Sequence, residues 1–196
     1  MLWSSDDICT LLAHARQQTP RKSIVREGLI PAAVLVPLVS IHGETHLLLT
    51  RRTDTVQTHK GHIAFPGGMV DEDDRDRTAT ALRETKEELG IAADEILIIG
   101  LLDDLATPTG FVITPVVGFL RKAPDMSPSA AEVAEVFFVP LSFLKDERHR
   151  RRETRITEFG PREMWHYDYE GRVIWGATAT IICDLMSLLH PSSSGR

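Results

Sequence analysis

Three glutamates crowd the segment Arg83-Glu84-Thr85-Lys86-Glu87-Glu88-Leu89-Gly90. At about 100° per helical residue, Glu84, Glu87 and Glu88 fall within one arc of about 100°. Like charges at spacings of three and four residues repel by roughly a few tenths of a kcal/mol per exposed pair. This crowding favours a bound divalent cation, because Mg²⁺ takes oxygen ligands and keeps waters for a substrate phosphate. The alternative is a solvated acidic face without a ligand.

The surrounding residues predict that this segment lies on a helix, with a glycine-containing turn before the helix and a glycine at its end. We predict a helix from about residue 76 to 89 that stops at Gly90, the usual left-handed terminator, and a tight turn at Phe65-Pro66-Gly67-Gly68 before it. Arg83 precedes Glu87 by four residues and could hold its carboxylate. A separate arc is expected to face the core and contains Thr78, Leu82, Thr85 and Leu89.

The rest of the chain is predicted to form the strands and helices that position this helix. Apolar runs and turn residues predict strands at about 29–40, 45–51, 95–103, 111–120, 135–139, 154–159 and 164–169, the last two as a hairpin across residues 169–171. Further helices are expected at about 5–18 and 176–189. This order indicates an α+β domain, an α/β/α sandwich with a mixed sheet between helices.

Bulk composition narrows the class of protein. A chain of 196 residues favours one domain over 1–196, and a net charge of −6 argues against a general nucleic-acid binder. Cys9 and Cys183 are interpreted as reduced thiols. We see no secretory signal, and the longest apolar stretch, 29–39, is too short to span a membrane. A cytoplasmic protein without membrane contact is therefore expected.

The residues from Arg83 to Ile91 resemble half of the Nudix box, R-E-U-x-E-E-x-G-U, where U is a bulky aliphatic residue. All four charged positions and the glycine match, and Thr85 departs at one U position. Upstream, Asp74 takes the acid position five residues after Gly68, as Asp rather than Glu and with one extra residue before Arg83. Asp74 is therefore not carried over as a metal ligand, whereas the metal-binding role of the helix is carried over. The box spans about residues 67–91.

A second resemblance points to the coenzyme A pyrophosphatase branch of that family. Its pattern L-L-T-x-R-[SA]-x3-R-x3-G-x3-F-P-G-G matches here from Leu48 to Gly68 in register. Two positions depart: Thr53 replaces Ser or Ala, and Gln57 replaces the second arginine. An arginine fork binds phosphate bidentately and glutamine does not, so Gln57 leaves the substrate open; Arg51, His59 and Lys60 lie near enough in sequence to compensate.

The resemblance implies a Nudix fold and hydrolysis of coenzyme A to adenosine 3′,5′-bisphosphate and 4′-phosphopantetheine. It implies Mg²⁺ or Mn²⁺ as cofactor. The residues carried over as catalytic are Arg83, Glu84, Glu87 and Glu88. Those carried over as metal ligands are Glu84, Glu87, Glu88 and the backbone carbonyl of Gly68, or of Gly67. Those carried over as substrate-binding are Arg52, Gly61, Phe65, Pro66 and Gly67.

Several assignments stay open. The general base is a box glutamate or a later acid, for which Glu132 and Glu135 are candidates, although each taken singly resembles ordinary surface charge. Phe111 and Trp175 could stack on adenine or pack in the core. The charged run 145–152 resembles a solvated loop more than a phosphate site.

Within the family, ADP-ribose or a dinucleotide is the rival substrate. Outside it, a non-catalytic nucleotide-binding module and an acidic helix that binds Ca²⁺ or a basic partner are the alternatives. Many family members are dimers, so a homodimer is a possible assembly.

Overall fold

The computed structural model describes residues 3–53, 61–157 and 160–190; Gln57, His59 and Lys60 lie outside the described residues. The helices are α1 (Ser5–Gln18), α2 (Arg77–Leu89), α3 (Leu141–Lys145) and α4 (Gly176–Leu189). The strands are β1 (Ile30–Ile41), β2 (Glu44–Arg52), β3 (Ile63–Ala64), β4 (Gly67–Met69), β5 (Ile96–Leu101), β6 (Leu105–Ala106), β7 (Phe111–Leu120), β8 (Val133–Pro140), β9 (Arg150–Thr157), β10 (Gly160–Tyr169) and β11 (Arg172–Trp175).

An eight-stranded mixed sheet forms the centre of the fold. β1 and β7 are parallel neighbours, whereas the pairings of β1 with β2 and with β4 are antiparallel. β4 pairs with the first half of β1 and β2 with its second half. The end of β2 and the short β4 are thereby brought to the same region of the sheet. A second, three-stranded antiparallel sheet contains β9, β10 and β11.

Two apolar clusters cover the two faces of the central sheet. On one face Ala81 and Leu89 of α2 pack with Leu35 of β1 and Val116 of β7. On the other face, residues of α1, α3 and α4 pack with Val36 of β1 and with the three-stranded sheet. The predicted arrangement of a mixed sheet between helices is therefore confirmed. No helix among the described residues is long and apolar enough to cross a membrane.

Two predictions of local structure were wrong. Gly67 and Gly68 do not form a tight turn, because they lie in β4, where they pair antiparallel with Val34 and Ala33 of β1. The turn at Glu170-Gly171 joins β10 to β11, a strand that the sequence did not indicate, and β9 begins at Arg150 rather than near residue 154. Strands of two to four residues carry too little periodicity to be recognised from sequence.

The packing face of α2 also differs from the prediction. Its buried residues are Thr80, Ala81, Thr85, Glu88 and Leu89, whereas Thr78 and Leu82 are only half-buried. The helix is thus rotated toward its glutamates, and one of them, Glu88, faces the sheet. A helical wheel gives relative angles, but contacts with the sheet determine which side is buried.

Candidate active site

The start and end of α2 are fixed by local chemistry. The side chain of Asp76 caps the helix by accepting a hydrogen bond from the Ala79 backbone N–H at 2.8 Å. At the other end Gly90 adopts φ 74°, a left-handed conformation that favours glycine. The helix therefore holds Glu84 and Glu88, one turn apart, at a defined height above the sheet.

Gly68 supplies the surface beneath Glu84. A Cβ atom at Gly68 would lie 2.4 Å from Glu84 Oε1, so the carboxylate rests directly on the β4 backbone. The side chain of Glu84 is 17% exposed. Burial is the main cause that raises the pKa of Glu84, although Arg83 beside it acts in the opposite direction.

Glu88 is the most deeply buried of the three glutamates. Its side chain is only 4% exposed, and the Gly67 backbone N–H donates to its carboxylate. Burial, together with the negative charges of Glu132 and Glu84, raises the pKa of Glu88 to about 8, while Arg52 lowers it. An ionised carboxylate at this position is therefore incompletely stabilised by its protein neighbours.

Arg52 is the cation that faces this carboxylate. It is the last residue of β2, and its Nη1 lies 3.6 Å from Glu88 Oε1. The Arg52 backbone N–H donates to the His62 carbonyl at 3.0 Å, which fixes the end of the strand. The structure thus joins the segment that precedes the box to the glutamates within it.

Arg83 ties the helix to the segment before it through a forked ion pair with Asp74. Nε lies 3.1 Å from Asp74 Oδ1 and Nη2 lies 2.9 Å from Oδ2. Nη2 also donates to the Met69 carbonyl, and Nη1 contacts Glu84 at 2.9 Å and Glu87 at 3.2 Å. The Asp74 side chain is 6% exposed, and its contact with Arg83 holds the pKa of that carboxyl well below its usual range.

This contact with Asp74 is the functional feature that the sequence analysis missed. Asp74 keeps the acid position of the box despite the shifted spacing, and it orients Arg83. Glu87, by contrast, is 56% exposed and lies on the solvent side of Arg83. The prediction that Arg83 holds Glu87 is confirmed, but Glu87 is more exposed than the other two glutamates.

A fourth carboxylate stands near the pair Glu84 and Glu88. The negative charge of Glu132 raises the pKa of both residues, which places it within electrostatic range of each. Glu132 is half-buried and just precedes β8. Glu135 instead accepts hydrogen bonds from Arg51 at 3.1 Å and from Arg172 at 2.6 Å, so its carboxylate is already engaged.

Two of the predicted substrate-binding residues are buried. Phe65 is 4% exposed and belongs to the apolar cluster on the face opposite α2. Pro66 is buried, and its carbonyl accepts from the Leu35 backbone N–H at 2.9 Å. Both residues shape the entry into β4 and do not offer a free surface. Gly61 occupies a turn with φ 66°.

The remaining candidates have structural partners. His62 packs edge-on against Trp175, with ring centroids 4.9 Å apart. Phe111 is half-buried at the start of β7. Arginines of the charged run 145–152 pair with nearby carboxylates, as in Arg148–Asp146 and Arg150–Glu147. The run is mostly exposed, as predicted, but it is not a loop: Lys145 ends α3, a short helical turn spans Glu147–His149, and β9 begins at Arg150.

The donor chemistry of the site fits a hard divalent cation. Across residues 3–53, 61–157 and 160–190, no three histidine, cysteine, aspartate or glutamate side chains are gathered as a ready metal cluster. However, two carboxylates with pKa values raised by burial lie against the backbone of β4, which contains Gly67 and Gly68. Such charges are stabilised by a cation, and oxygen ligands suit Mg²⁺ and similar ions.

Comparison with known proteins identifies the family. A family model described as the NUDIX domain matches residues 29–158. A Nudix hydrolase named NudL from Photorhabdus laumondii is 39% identical over 162 residues, covering 79% of this chain and 82% of the relative. The NudL protein of Cronobacter sakazakii is 38% identical over 177 residues, covering 87% of this chain and 86% of the relative.

Solved structures agree on the fold. A MutT/nudix family protein from Enterococcus faecalis superposes with a TM-score of 0.55 at 16% identity, over 94% of this chain and 73% of that one. An Ap4A hydrolase from C. elegans gives a TM-score of 0.50 at 25% identity, over 57% of this chain and 80% of that one. From these matches and the helix that carries Glu84 and Glu88, the chain belongs to the Nudix hydrolases, enzymes that act on the pyrophosphate bond of small nucleotides and generally use divalent metal ions.

Proposed function

We propose that this enzyme hydrolyses the pyrophosphate bond of coenzyme A or a coenzyme A derivative, giving adenosine 3′,5′-bisphosphate and 4′-phosphopantetheine. The observation that carries the proposal is the contact of Arg52 with Glu88, at 3.6 Å. Arg52 belongs to the segment that resembles the coenzyme A branch, and Glu88 belongs to the box. The residues that suggest this substrate therefore adjoin those that suggest the reaction.

The cofactor we propose is Mg²⁺ or Mn²⁺, held by Glu84, Glu88 and the backbone carbonyl of Gly68. When bound, such an ion neutralises phosphate charge and lowers the pKa of a coordinated water. Glu87, which is 56% exposed, is assigned the outer role of accepting a hydrogen bond from water at the site. Arg83 keeps Glu84 and Glu87 in place through its two contacts.

The side chains of the protein have separate tasks in the reaction. Arg52, which faces Glu88 at 3.6 Å, is a guanidinium suited to pair with a substrate phosphate. Glu132 is assigned as the general base, because it is a half-buried carboxylate close to Glu84 and Glu88 and the other later candidate, Glu135, is engaged by two arginines. Water attacks one phosphorus, its proton passes to Glu132, and the bridging oxygen leaves with the other phosphate.

A second substrate class is favoured by one specific feature. Gln57 stands where the coenzyme A pattern has arginine, which removes a charge suited to a phosphate. ADP-ribose or a dinucleotide is the rival for that reason, and the Ap4A hydrolase of C. elegans shares the fold at 25% identity. A module without turnover is disfavoured, because Glu84, Glu87 and Glu88 are all present.

The test is a substrate panel of coenzyme A, ADP-ribose, NADH and diadenosine polyphosphates, each with Mg²⁺ and with Mn²⁺, read by separation of the products. We expect 4′-phosphopantetheine from coenzyme A. Cleavage of ADP-ribose with coenzyme A untouched would contradict the substrate, and no product from any member of the panel would contradict catalysis.

A variant distinguishes the activity of this enzyme from the activity of a contaminating enzyme. Glu88→Gln keeps the size of the side chain and removes its charge, so turnover should fall by at least about 100-fold while the fold remains. The matched variant Lys86→Gln alters an exposed residue of the same helix and should keep activity close to that of the wild type.

A further inference from the structure

A short turn, residues 127–133, is hydrogen-bonded to the end of α2. The Ser127 backbone N–H donates to the Leu89 carbonyl at 2.9 Å, and the Ser129 N–H donates to the Glu88 carbonyl at 2.9 Å. Carbonyls in the last turn of a helix lack partners within the helix. The turn at 127–133 supplies them, so its position and the position of Glu88 are linked through the backbone.

The same turn is fastened to the end of β2 through Thr53. The Thr53 backbone N–H donates to the Glu132 carbonyl at 2.9 Å, and its hydroxyl donates to the Ala131 carbonyl at 2.8 Å. Thr53 directly follows Arg52, whose guanidinium faces Glu88. The turn thus bonds to Glu88 and to the residue that follows Arg52, and it contains Glu132.

One of these bonds depends on a side chain. Any residue other than proline could donate the backbone N–H bond from position 53, whereas the bond to Ala131 requires a hydroxyl. Internal bonds from the Glu132 and Val133 N–H groups to the Ser129 carbonyl, at 3.0 and 2.8 Å, connect the two ends of the turn. A single hydroxyl at one edge therefore influences where the whole turn sits.

We infer that Thr53 is a positioning residue, whose hydroxyl holds the 127–133 turn so that Glu132 and Arg52 keep their places against Glu88. This inference rests on the proposed function, in which Glu88 holds the metal, Glu132 takes the proton of water and Arg52 pairs with a substrate phosphate. Thr53 touches neither the substrate nor the metal in this role. It acts through the carbonyl of Ala131.

The test compares Thr53→Val, which keeps the shape and removes the hydroxyl, with Thr53→Ser, which keeps the hydroxyl. A hydrogen bond of this kind contributes about 1 kcal/mol, which corresponds to roughly a fivefold change. We expect Thr53→Val to lower kcat about fivefold with KM within about twofold, and Thr53→Ser to stay within about twofold of the wild type. Thr180→Val removes another hydroxyl-to-carbonyl bond, 3.0 Å to Gly176 in α4, and should leave kcat unchanged.

A second measurement is independent of activity. Amide hydrogen exchange at Ser127 and Ser129 reports the bonds between the turn and α2. Exchange at both should accelerate in Thr53→Val and stay at the wild-type rate in Thr53→Ser and Thr180→Val. Equal kcat and equal exchange in the Val and Ser variants would overturn the inference. A wild-type protein inactive on the whole panel would instead overturn the proposed function. The exchange data would still test whether the Thr53 hydroxyl holds the 127–133 turn against α2.

Discussion

Arg52 and Glu88 form an ion pair at 3.6 Å in which the carboxylate is 4% exposed and the guanidinium 26%. The distance exceeds that of a hydrogen bond, so the attraction offsets only part of the cost of burying the carboxylate. That imbalance is the reason why the pKa of Glu88 rises to about 8. Without a metal ion the protonated form of Glu88 is favoured, and a bound cation would stabilise its ionised form.

Glu88→Gln should stabilise the metal-free protein at alkaline pH. The pKa of Glu88 is raised in the folded protein from 4.5 to about 8, so its protonated form favours folding and that contribution is lost as the pH rises through this range. Glutamine resembles the protonated form. With chelator present, the variant and the wild type should unfold at similar temperatures at pH 5. At pH 9 the variant should be more stable by at least about 1.4 kcal/mol, the equivalent of one pKa unit.

The matched control for this experiment is Glu87→Gln, one residue earlier on the same helix. Its side chain is 56% exposed and pairs with Arg83 at the surface, so the change should alter stability by about 0.5 kcal/mol or less at either pH. A stability difference between wild type and Glu88→Gln that does not grow with pH would show that Glu88 is not stabilised by its proton.

Asp74→Asn should weaken the connection between α2 and the preceding segment. The Asp74 carboxylate is 6% exposed and receives two bonds from Arg83, which is itself 31% exposed. Solvent screening around the guanidinium reduces the loss to about 1 kcal/mol. Because Arg83 lowers the pKa of Asp74, this contribution is fully present above the usual value of 3.8 and is lost progressively as the pH falls from that value toward the lower pKa of the folded protein.

The expected readout for Asp74→Asn is a lower melting temperature at pH 7 and a smaller difference near pH 3. Turnover should also fall, since Arg83 then lacks the partner that orients it toward Glu84. Asp73→Asn changes an exposed neighbour and should match the wild type in both measurements. An Asp74→Asn protein as active as the Asp73→Asn control would contradict the orienting role.

The parts of the fold that the sequence indicated are those with strong local signals. Asp76 and Gly90 mark the two ends of α2, and long apolar runs mark β1 and β7. The burial of Glu88 was not foreseeable in the same way. It depends on how the helix is rotated against the sheet, which is determined by contacts between residues far apart in the chain.

The sequence predicted the side chains that carry the chemistry of the site, but it did not predict the contacts that position them. Glu84, Glu88 and Arg52 were selected by type and spacing, and the structure brings them together. A turn that lies 35 or more residues beyond the box connects Glu132 with Thr53 beside this group, and no local pattern predicts that connection. Phe65 was selected because it lies in a motif, and the structure places its side chain in the apolar cluster opposite α2.

Substitution by alanine should have different effects on stability at two neighbouring glycines. At Gly67 a Cβ would lie 2.4 Å from the Ala33 carbonyl oxygen and 2.6 Å from Val34 Cα, both backbone atoms of β1. At Gly68 the atoms met belong to the Glu84 carboxylate, the far end of a flexible side chain. Gly67→Ala should therefore destabilise the protein by about 1–3 kcal/mol, whereas Gly68→Ala should fold and displace Glu84.

Thermal melts and metal titrations separate these two effects. Gly68→Ala should keep a melting temperature close to that of the wild type and bind Mn²⁺ at least about tenfold more weakly. Wild-type Mn²⁺ affinity in Gly68→Ala would remove Glu84 from the proposed set of ligands. Wild-type stability in Gly67→Ala would show that β4 can move away from β1.

Glu132 and Glu135 offer a direct comparison of two carboxylates that precede or begin the same strand. Glu135 is held by Arg51 and Arg172, which lower its pKa, and it serves to tie β2 and β8 to the three-stranded sheet. Glu132 lies within electrostatic range of Glu84 and Glu88. Glu132→Gln should therefore lower kcat by about 100-fold or more, in the range that general-base catalysis contributes, with a melting temperature close to that of the wild type. Glu135→Gln should lower the melting temperature and leave kcat within about threefold. If the two variants exchange these results, the base is Glu135 and its two arginines belong to the catalytic machinery.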